Sequence, residues 1–272
     1  MTTPILITGG TGTLGTLVVR RLREAGRDVR VLSRHPHVAE AGVEYLTGDL
    51  ATGQGIEAAV NGAEIIVHCA GGAKGDDVKA RNLVRTSSRA AHLVYISVVG
   101  ADRIPIVSGV DRAMFGYFGS KRAAELVIEK SGIPFTTLRA TQFHDLSLTT
   151  VRQISKLPMV PAAAGFRFQP IDADTVAARL VELALGAPAG LVPDLGGPRV
   201  YPMAELIRSY LTATHKRRPI VQVRMPGKAA AAIRAGGNLT PARAGGSRTW
   251  EEFLADQIGT GAALGGRQLP AR

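Results

Sequence analysis

A glycine-rich turn, Thr8-Gly9-Gly10-Thr11-Gly12-Thr13-Leu14-Gly15, joins a short apolar run to an amphipathic segment and constrains the fold more than any other stretch of the 272 residues. Pro4 to Thr8 before it is apolar enough for a strand buried on both faces of a parallel sheet. Thr13 to Ala25 after it sets Leu14, Leu17, Val18, Leu22 and Ala25 at spacings of three and four, and Gly26 stops the run, as in a helix with one buried face. In such a junction Gly9 permits the tight turn, Gly12 lets the main chain approach a pyrophosphate, and Gly15 lets the helix pack close to the strand. The free N–H groups around Thr13 and Leu14 then face the anion.

The alternation continues for over a hundred residues. Asp28 to Ser33, Val43 to Thr47, Glu64 to Ala70, His92 to Val99 and Phe135 to Arg139 read as strands, and Ile56 to Val60, Asp77 to Ala91 and Tyr117 to Lys130 as helices. Strands and helices at this pace mean right-handed βαβ units, hence an α/β fold with a doubly wound parallel sheet of the Rossmann type. Past Gln142 the rhythm loosens. Helices are expected over Leu146 to Leu157, Asp174 to Leu185, Met203 to Thr214 and Thr249 to Ile258, with strands at Leu191 to Leu195 and Ile220 to Val223. The expected organisation is a dinucleotide-binding domain over residues 1–145, a small C-terminal substrate-capping lobe over 146–258, and a Gly/Ala-rich flexible tail over 259–272.

The spacing Gly9, Gly12, Gly15 resembles that of the short-chain dehydrogenase/reductases, in their atypical and extended branch that includes the NmrA-like proteins. The resemblance covers residues 3 to 145 and extends to three more positions. Gly48-Asp49-Leu50 is similar to the family's Gly-Asp-Leu, whose acid meets the adenine. His68-Cys69-Ala70-Gly71 is similar to the turn beneath the nicotinamide ribose, and Tyr117-x-x-x-Lys121 to the family's catalytic spacing. The resemblance thus implies a nicotinamide cofactor held by Gly9, Thr11, Gly12, Thr13, Leu14, Gly15, Asp49, Leu50, Ala70, Gly71 and Lys121. After the second strand stand Ser33 and Arg34 and no carboxylate; an arginine there pairs a 2′-phosphate bidentately and Ser33 adds a hydrogen bond, so NADP(H) is favoured over NAD(H).

Tyr117 and Lys121, four apart on an expected helix, share one face. An ammonium close to the phenol is expected to lower its pKa, making Tyr117 a general acid toward a carbonyl oxygen. Ser97, near the end of the fifth strand, is the expected third member, donating to the same oxygen, and the resemblance implies that Lys121 also holds the ribose. Val98 and Val99 follow Ser97, where the family's sugar dehydratases carry an acid, which points to simple reduction or epimerisation. Met114, Gln142, Phe143 and His144 are expected to line the substrate side. The apolar character of Gly100 to Gly116 suits a small organic carbonyl or a quinone-like compound.

Several classes of partner are set aside. Cys69, alone, provides neither a disulfide framework nor a multi-thiolate zinc site, six scattered histidines lack metal spacing, and no metal is assigned. A reduced, cytoplasmic protein is expected. Met1 to Gly10 has no signal-peptide pattern, and no apolar run reaches the roughly 18 residues of a membrane span, so no membrane partner is expected. The net charge of +11 is concentrated at the C-terminal end: residues 151–272 hold 16 basic against 8 acidic side chains, and Arg208 to Arg248 nine basic residues and no acid. A nucleic-acid partner is nonetheless not expected, because no recognisable module accompanies the charge. The reading is an NADPH-dependent reductase acting on a small-molecule substrate. Its alternatives are a non-catalytic NADP(H) redox sensor of the NmrA-like type and a nucleotide-sugar epimerase, and a homodimer is allowed by analogy.

Overall fold

The computed structural model describes residues 3–38, 40–72 and 74–265. Its core is a parallel sheet in which each apolar strand of the first 140 residues finds the place that the alternation predicts. The strands are β1 (Ile5–Thr8), β2 (Val29–Ser33), β3 (Val43–Thr47), β4 (Ile65–His68), β5 (His92–Val98) and β6 (Phe135–Ala140), joined by a short β9 (Gly190–Leu191). Their order is β3-β2-β1-β4-β5-β6-β9, all pairs parallel. The order reverses between β1 and β4, so the sheet's carboxyl edge opens a crevice beside the glycine-rich turn.

Helices cover both faces. On one face α1 (Thr13–Glu24) and α6 (Ala173–Leu185) bury Leu14, Val18, Leu22, Val176 and Leu180 against Ile5, Ile7, Val31 and Val94. On the other, α2 (Ile56–Val60), α3 (Asp76–Thr86) and α4 (Gly109–Glu129) bury Ile56, Leu83, Ala124 and Ile128 against Leu6, Ile66 and Leu93. These interlayer contacts are aliphatic and continuous, which fixes the strand ends that carry polar residues.

Helix α4 begins eight residues before the expected Tyr117. Gly109, Gly116 and Gly119 argue against a helix in the sequence, but Ser108 and Asp111 form a capping box that starts it. Asp111 Oδ2 accepts the Ser108 N–H, Ser108 Oγ accepts the Asp111 N–H, and Asp111 Oδ1 also accepts the Ala229 N–H at 3.1 Å. At Gly119 the helix passes close to Ile106, and a Cβ there would stand 3.3 Å from Ile106 Cγ1.

The C-terminal part contains α5 (His144–Ile154), β7 (Val160–Ala163), β8 (Arg167–Phe168), β10 (Tyr201–Pro202), α7 (Met203–Ala213), β11 (Ile220–Val223), α8 (Lys228–Arg234) and α9 (Trp250–Gly265). β7, β8, β10 and α8 are additions to the expected elements, and the strand expected at Leu191 to Leu195 shortens to β9. β7 pairs in parallel with β11, and β8 antiparallel with β10. Trp250, Phe253, Leu206, Tyr210 and Val160 form a separate core there. The helix expected to end at Ile258 continues through Gly265, so the start of the expected flexible tail is helical; residues 266–272 lie outside the described residues.

Candidate functional site

A cleft of about 650 Å³ lies along the carboxyl edge of β1, β4, β5 and β6. Its floor is the glycine-rich turn, with Gly9, Gly12, Thr13, Leu14 and Gly15, and the turn after β4, with Cys69 and Gly71. The turn has room for a close ligand only at Gly12: a Cβ on Gly9 would stand 2.7 Å from Ala70 Cα and one on Gly15 2.0 Å from Gly9 O, whereas one on Gly12 meets only Gly9 O at 3.4 Å. α1 starts there with no side-chain cap and no acid in its first turn, which leaves its first N–H groups directed at the cleft. This is a cradle for a phosphate-bearing cofactor.

Thr11 lies with Gly12 and Thr13 in an adjoining groove beside Arg20 and Asp174. Farther along the same sheet edge, on the β2–β3 side, Ser33 ends β2 and the exposed Arg34 follows it. Ser33 Oγ accepts the His35 N–H and is hydrogen-bonded to His37 Nε2 at 3.0 Å. Asp49 Oδ1 accepts the Ala51 N–H at 2.8 Å and so fixes the turn after β3. Leu50 belongs to the core that α2 and α3 cover, and the half-buried Ala70 packs against it.

Helix α4 brings Tyr117 and Lys121 to the opposite side of the cleft. Lys121 is buried, with Nζ 3.2 Å from Asp76 Oδ2 and donating to Ile96 O at 3.1 Å. Nζ also lies 5.0 Å from the Tyr95 ring centre and 5.8 Å from that of Tyr117. Asp76, the first residue of α3, is held by the Gly72 N–H and by Lys79 Nζ, which stands 3.1 Å from Oδ1. Burial opposes the charge of Lys121, but Tyr95 and Asp76 outweigh it and hold the ammonium above the ordinary lysine value. The Tyr117 hydroxyl makes no hydrogen bond within the described residues.

Three expectations change. The Tyr117 phenol is raised above its ordinary value, not lowered, by burial first and by the Asp76 carboxylate second. Tyr117 is therefore a neutral donor in the cofactor-free protein. Ser97 lines the cleft, but its Oγ donates to Glu125 Oε1 at 2.5 Å and is turned away from a carbonyl. Glu125 is gripped by Arg139 through two hydrogen bonds of 2.8 and 2.7 Å, and Arg139 reaches Asp102 at 2.7 Å. Burial resists ionisation of Glu125, and the Arg139, Ser97 and Arg122 hydrogen bonds overcome it, keeping Glu125 below the usual carboxylate range. His144 leaves the substrate wall altogether. It is fully buried, stacks 5.0 Å from Phe253 and 6.1 Å from Trp250, and its Nε2 is hydrogen-bonded to Arg248 O.

Met114, Gln142 and Phe143 do line the cleft. The rest of that wall comes from Phe166, Phe168, Ile233 and Asn238, which carried no motif in the sequence. Asn238 donates from Nδ2 to Arg167 O at 2.8 Å. Cys69, at the cleft floor, has its thiol pushed up to about 12 by burial, so it is no thiolate nucleophile. Among the described residues, Lys121 is thus the one cationic side chain lining a cleft otherwise made of glycine, aromatic and aliphatic groups and a few amides and hydroxyls.

Residues 9–185 match the family described as NAD(P)H-binding. Among curated proteins, the ceramide reductase of Caulobacter vibrioides is 30% identical over 199 residues, covering 69% of this chain and 63% of that protein. The chain therefore spans less than two thirds of that relative's length. Among solved structures, an NADPH-dependent quinone oxidoreductase of Escherichia coli, complexed with NADPH, superposes with a TM-score of 0.76 at 18% identity, covering 93% of this chain and 99% of that one. A triphenylmethane reductase of Citrobacter sp. superposes with a TM-score of 0.74 at 18% identity, over 94% and 99% of the two chains. At such identity the superpositions speak to the fold. The match over residues 9–185 shows that the chain belongs to the NAD(P)H-binding family, in keeping with the glycine cradle and the strand order.

Proposed function

We propose that the protein is an NADPH-dependent reductase of a small apolar carbonyl or quinone-like substrate, with Tyr117 as proton donor. The carrying observation is the convergence of Tyr117, Lys121 and the glycine cradle in one cleft whose remaining wall is aromatic and aliphatic. The bound cofactor supplies the hydride. The chain does the rest: the aromatic wall excludes water, the fixed Lys121 ammonium offers donors to ribose hydroxyls, and the neutral Tyr117 hydroxyl delivers a proton to the developing alkoxide. With Ser97 engaged by Glu125, Tyr117 carries this task without a serine partner. Arg34, exposed after β2, supports the preference for a 2′-phosphate, and a nucleotide-sugar substrate fits poorly against Phe115, Phe166 and Phe168. The similarity to a ceramide reductase supports a lipophilic substrate.

One observation favours a second reading. The Ser97 hydroxyl is already committed and the Tyr117 phenol is raised, as suits a cofactor-binding sensor that performs no reduction. Following NADPH consumption against a panel of aromatic ketones and quinones separates the two. The reductase turns over at least one of them, and Tyr117→Phe lowers that rate by roughly 10²-fold or more while cofactor affinity stays. Tight NADPH binding with no turnover across the panel would establish the sensor.

A further inference from the structure

The two longest acid-free stretches of the chain are 146–171, with three basic residues, and 206–250, with nine. They are distant in sequence, yet the fold joins them. β7 pairs with β11 through Val160↔Ile220 to Ala163↔Val223, the Val160 N–H donates to Pro219 O at 2.9 Å, and α5 packs on α7. Lys156, just past α5, and Lys216, Arg217 and Arg218, which follow α7, thus lie on the segments that lead into the paired β7 and β11, and Arg224 follows β11. All five are exposed. Of the twelve basic residues, Arg248 alone takes part in an ion pair among the described residues. Asp145 and Glu205 sit in the first turns of α5 and α7, at the other ends of those helices from Lys156 and Lys216, and the remaining acids stand elsewhere: Asp172, Asp174 and Glu182 on or beside α6, Asp194 after β9, and Glu251, Glu252 and Asp256 on α9.

Interleaved with the cations are apolar side chains in water. Leu157 and Met159 are 47% and 62% exposed, and Val221 and Val223 are each 42% exposed. Met159 immediately precedes Val160 and so borders Pro219 and Arg218. A surface that only needed solubility would hold acids among its bases and no such cluster.

We propose that this face docks the protein on a bilayer surface rich in anionic lipid, the basic side chains meeting the headgroups and Leu157, Met159 and Val221 entering the interface. Peripheral docking of this kind needs no spanning helix, and none of the described helices is long and apolar enough to cross a membrane. A single-stranded nucleic acid is the weaker fit, since such partners are held by exposed aromatic rings and the exposed large apolar residues are Val, Leu and Met. Helix α5 also links this face to the cleft, with Leu146 at the cleft mouth near its start and Lys156 just past its end. Docking therefore places the apolar cleft within reach of lipid-dissolved substrates. That last step rests on the reductase reading, whereas docking itself does not.

The test is sedimentation of the full chain with phosphatidylcholine vesicles containing about one-third phosphatidylglycerol, and with pure phosphatidylcholine vesicles, at low salt and at about 0.5 M salt. The expected result is binding to the anionic vesicles only, weakened by salt. Arg217→Glu with Arg218→Glu should cut the partition by about tenfold or more, and Met159→Ser severalfold. An unchanged melting temperature shows that these exposed positions are not structural. No binding to anionic vesicles, or binding indifferent to the charge reversal, overturns the proposal. So does a polythymidine oligonucleotide that binds more tightly than the vesicles with no effect of Met159→Ser. Because no cofactor or substrate is present, a failed reductase assay leaves this result unaffected.

Discussion

Lys121 Nζ and Asp76 Oδ2 lie 3.2 Å apart beneath the cleft, with both side chains almost wholly buried. The carboxylate comes from the first turn of α3 and the ammonium from the middle of α4, so the pair also ties two packed helices. Removing one member of a buried pair strands the other charge, at a cost of about 3–5 kcal/mol. Asp76→Asn should lower the unfolding free energy by roughly that order, measured by urea denaturation, and should release Lys121 to find cofactor less tightly. A change below about 1 kcal/mol would mean that Ile96 O alone suffices to hold the ammonium.

The glycines of the turn should separate by role. Gly15→Ala forces a Cβ to 2.0 Å from Gly9 O, main chain against main chain, and the folded protein should be lost or strongly destabilised. Gly12→Ala meets nothing closer than 3.4 Å, so it should fold normally yet bind NADPH about tenfold or more weakly. Thermal melting and cofactor titration of the two variants read the two effects independently.

Arg34→Ala addresses the cofactor. Loss of a charge-assisted bidentate contact costs about 1.5–3 kcal/mol, so NADPH affinity should fall roughly 10- to 100-fold with NADH affinity unchanged. Equal effects on the two cofactors in parallel titrations would place the guanidinium away from the 2′-phosphate.

His68 gives the protein an acid-side sensitivity. Burial first, and the Lys121 charge second, lower its pKa to about 3, against 6.5 for the free side chain. Between these values the unfolded chain binds the proton and the native one does not. Stability is thus full above about pH 6.5 and falls toward pH 3 at up to about 1.4 kcal/mol per pH unit. Urea midpoints taken across this range should decline less steeply in His68→Gln, while the buried His92 and His144, shifted the same way, keep a residual slope.

The sheet was legible because apolar runs and glycines speak locally. β3 and α2 match their expected limits, and β1, β2, β4, β5 and β6 differ by a few residues at their ends. The cleft was half legible. The glycine turn and the Tyr117/Lys121 spacing are local patterns, and the structure brings them together. Ser97 and His144 depended on what stood opposite them, namely Glu125 with Arg139 and Trp250 with Phe253, from distant parts of the chain. A hydroxyl facing an ionised buried carboxylate donates to it in preference to a neutral ligand, and spacing within one segment cannot register that. The Phe166, Ile233 and Asn238 wall was invisible for the same reason. α8 is a short Ala-rich helix between glycines, and only its packing on α4 makes it part of the site.

Asp111 has a further consequence. One carboxylate closes the first turn of α4 and receives the Ala229 N–H of α8, so the two packed helices are fastened by a polar contact besides their apolar one. Drawing α8 outward would unpair Asp111 Oδ1 and leave Oδ2 on the Ser108 N–H, so the leading turn of α4 would keep its cap. The yielding side of the substrate entrance is thereby α8, and a substrate too wide for the resting cleft would be admitted at the expense of one hydrogen bond, with the helix that bears the proton donor still capped.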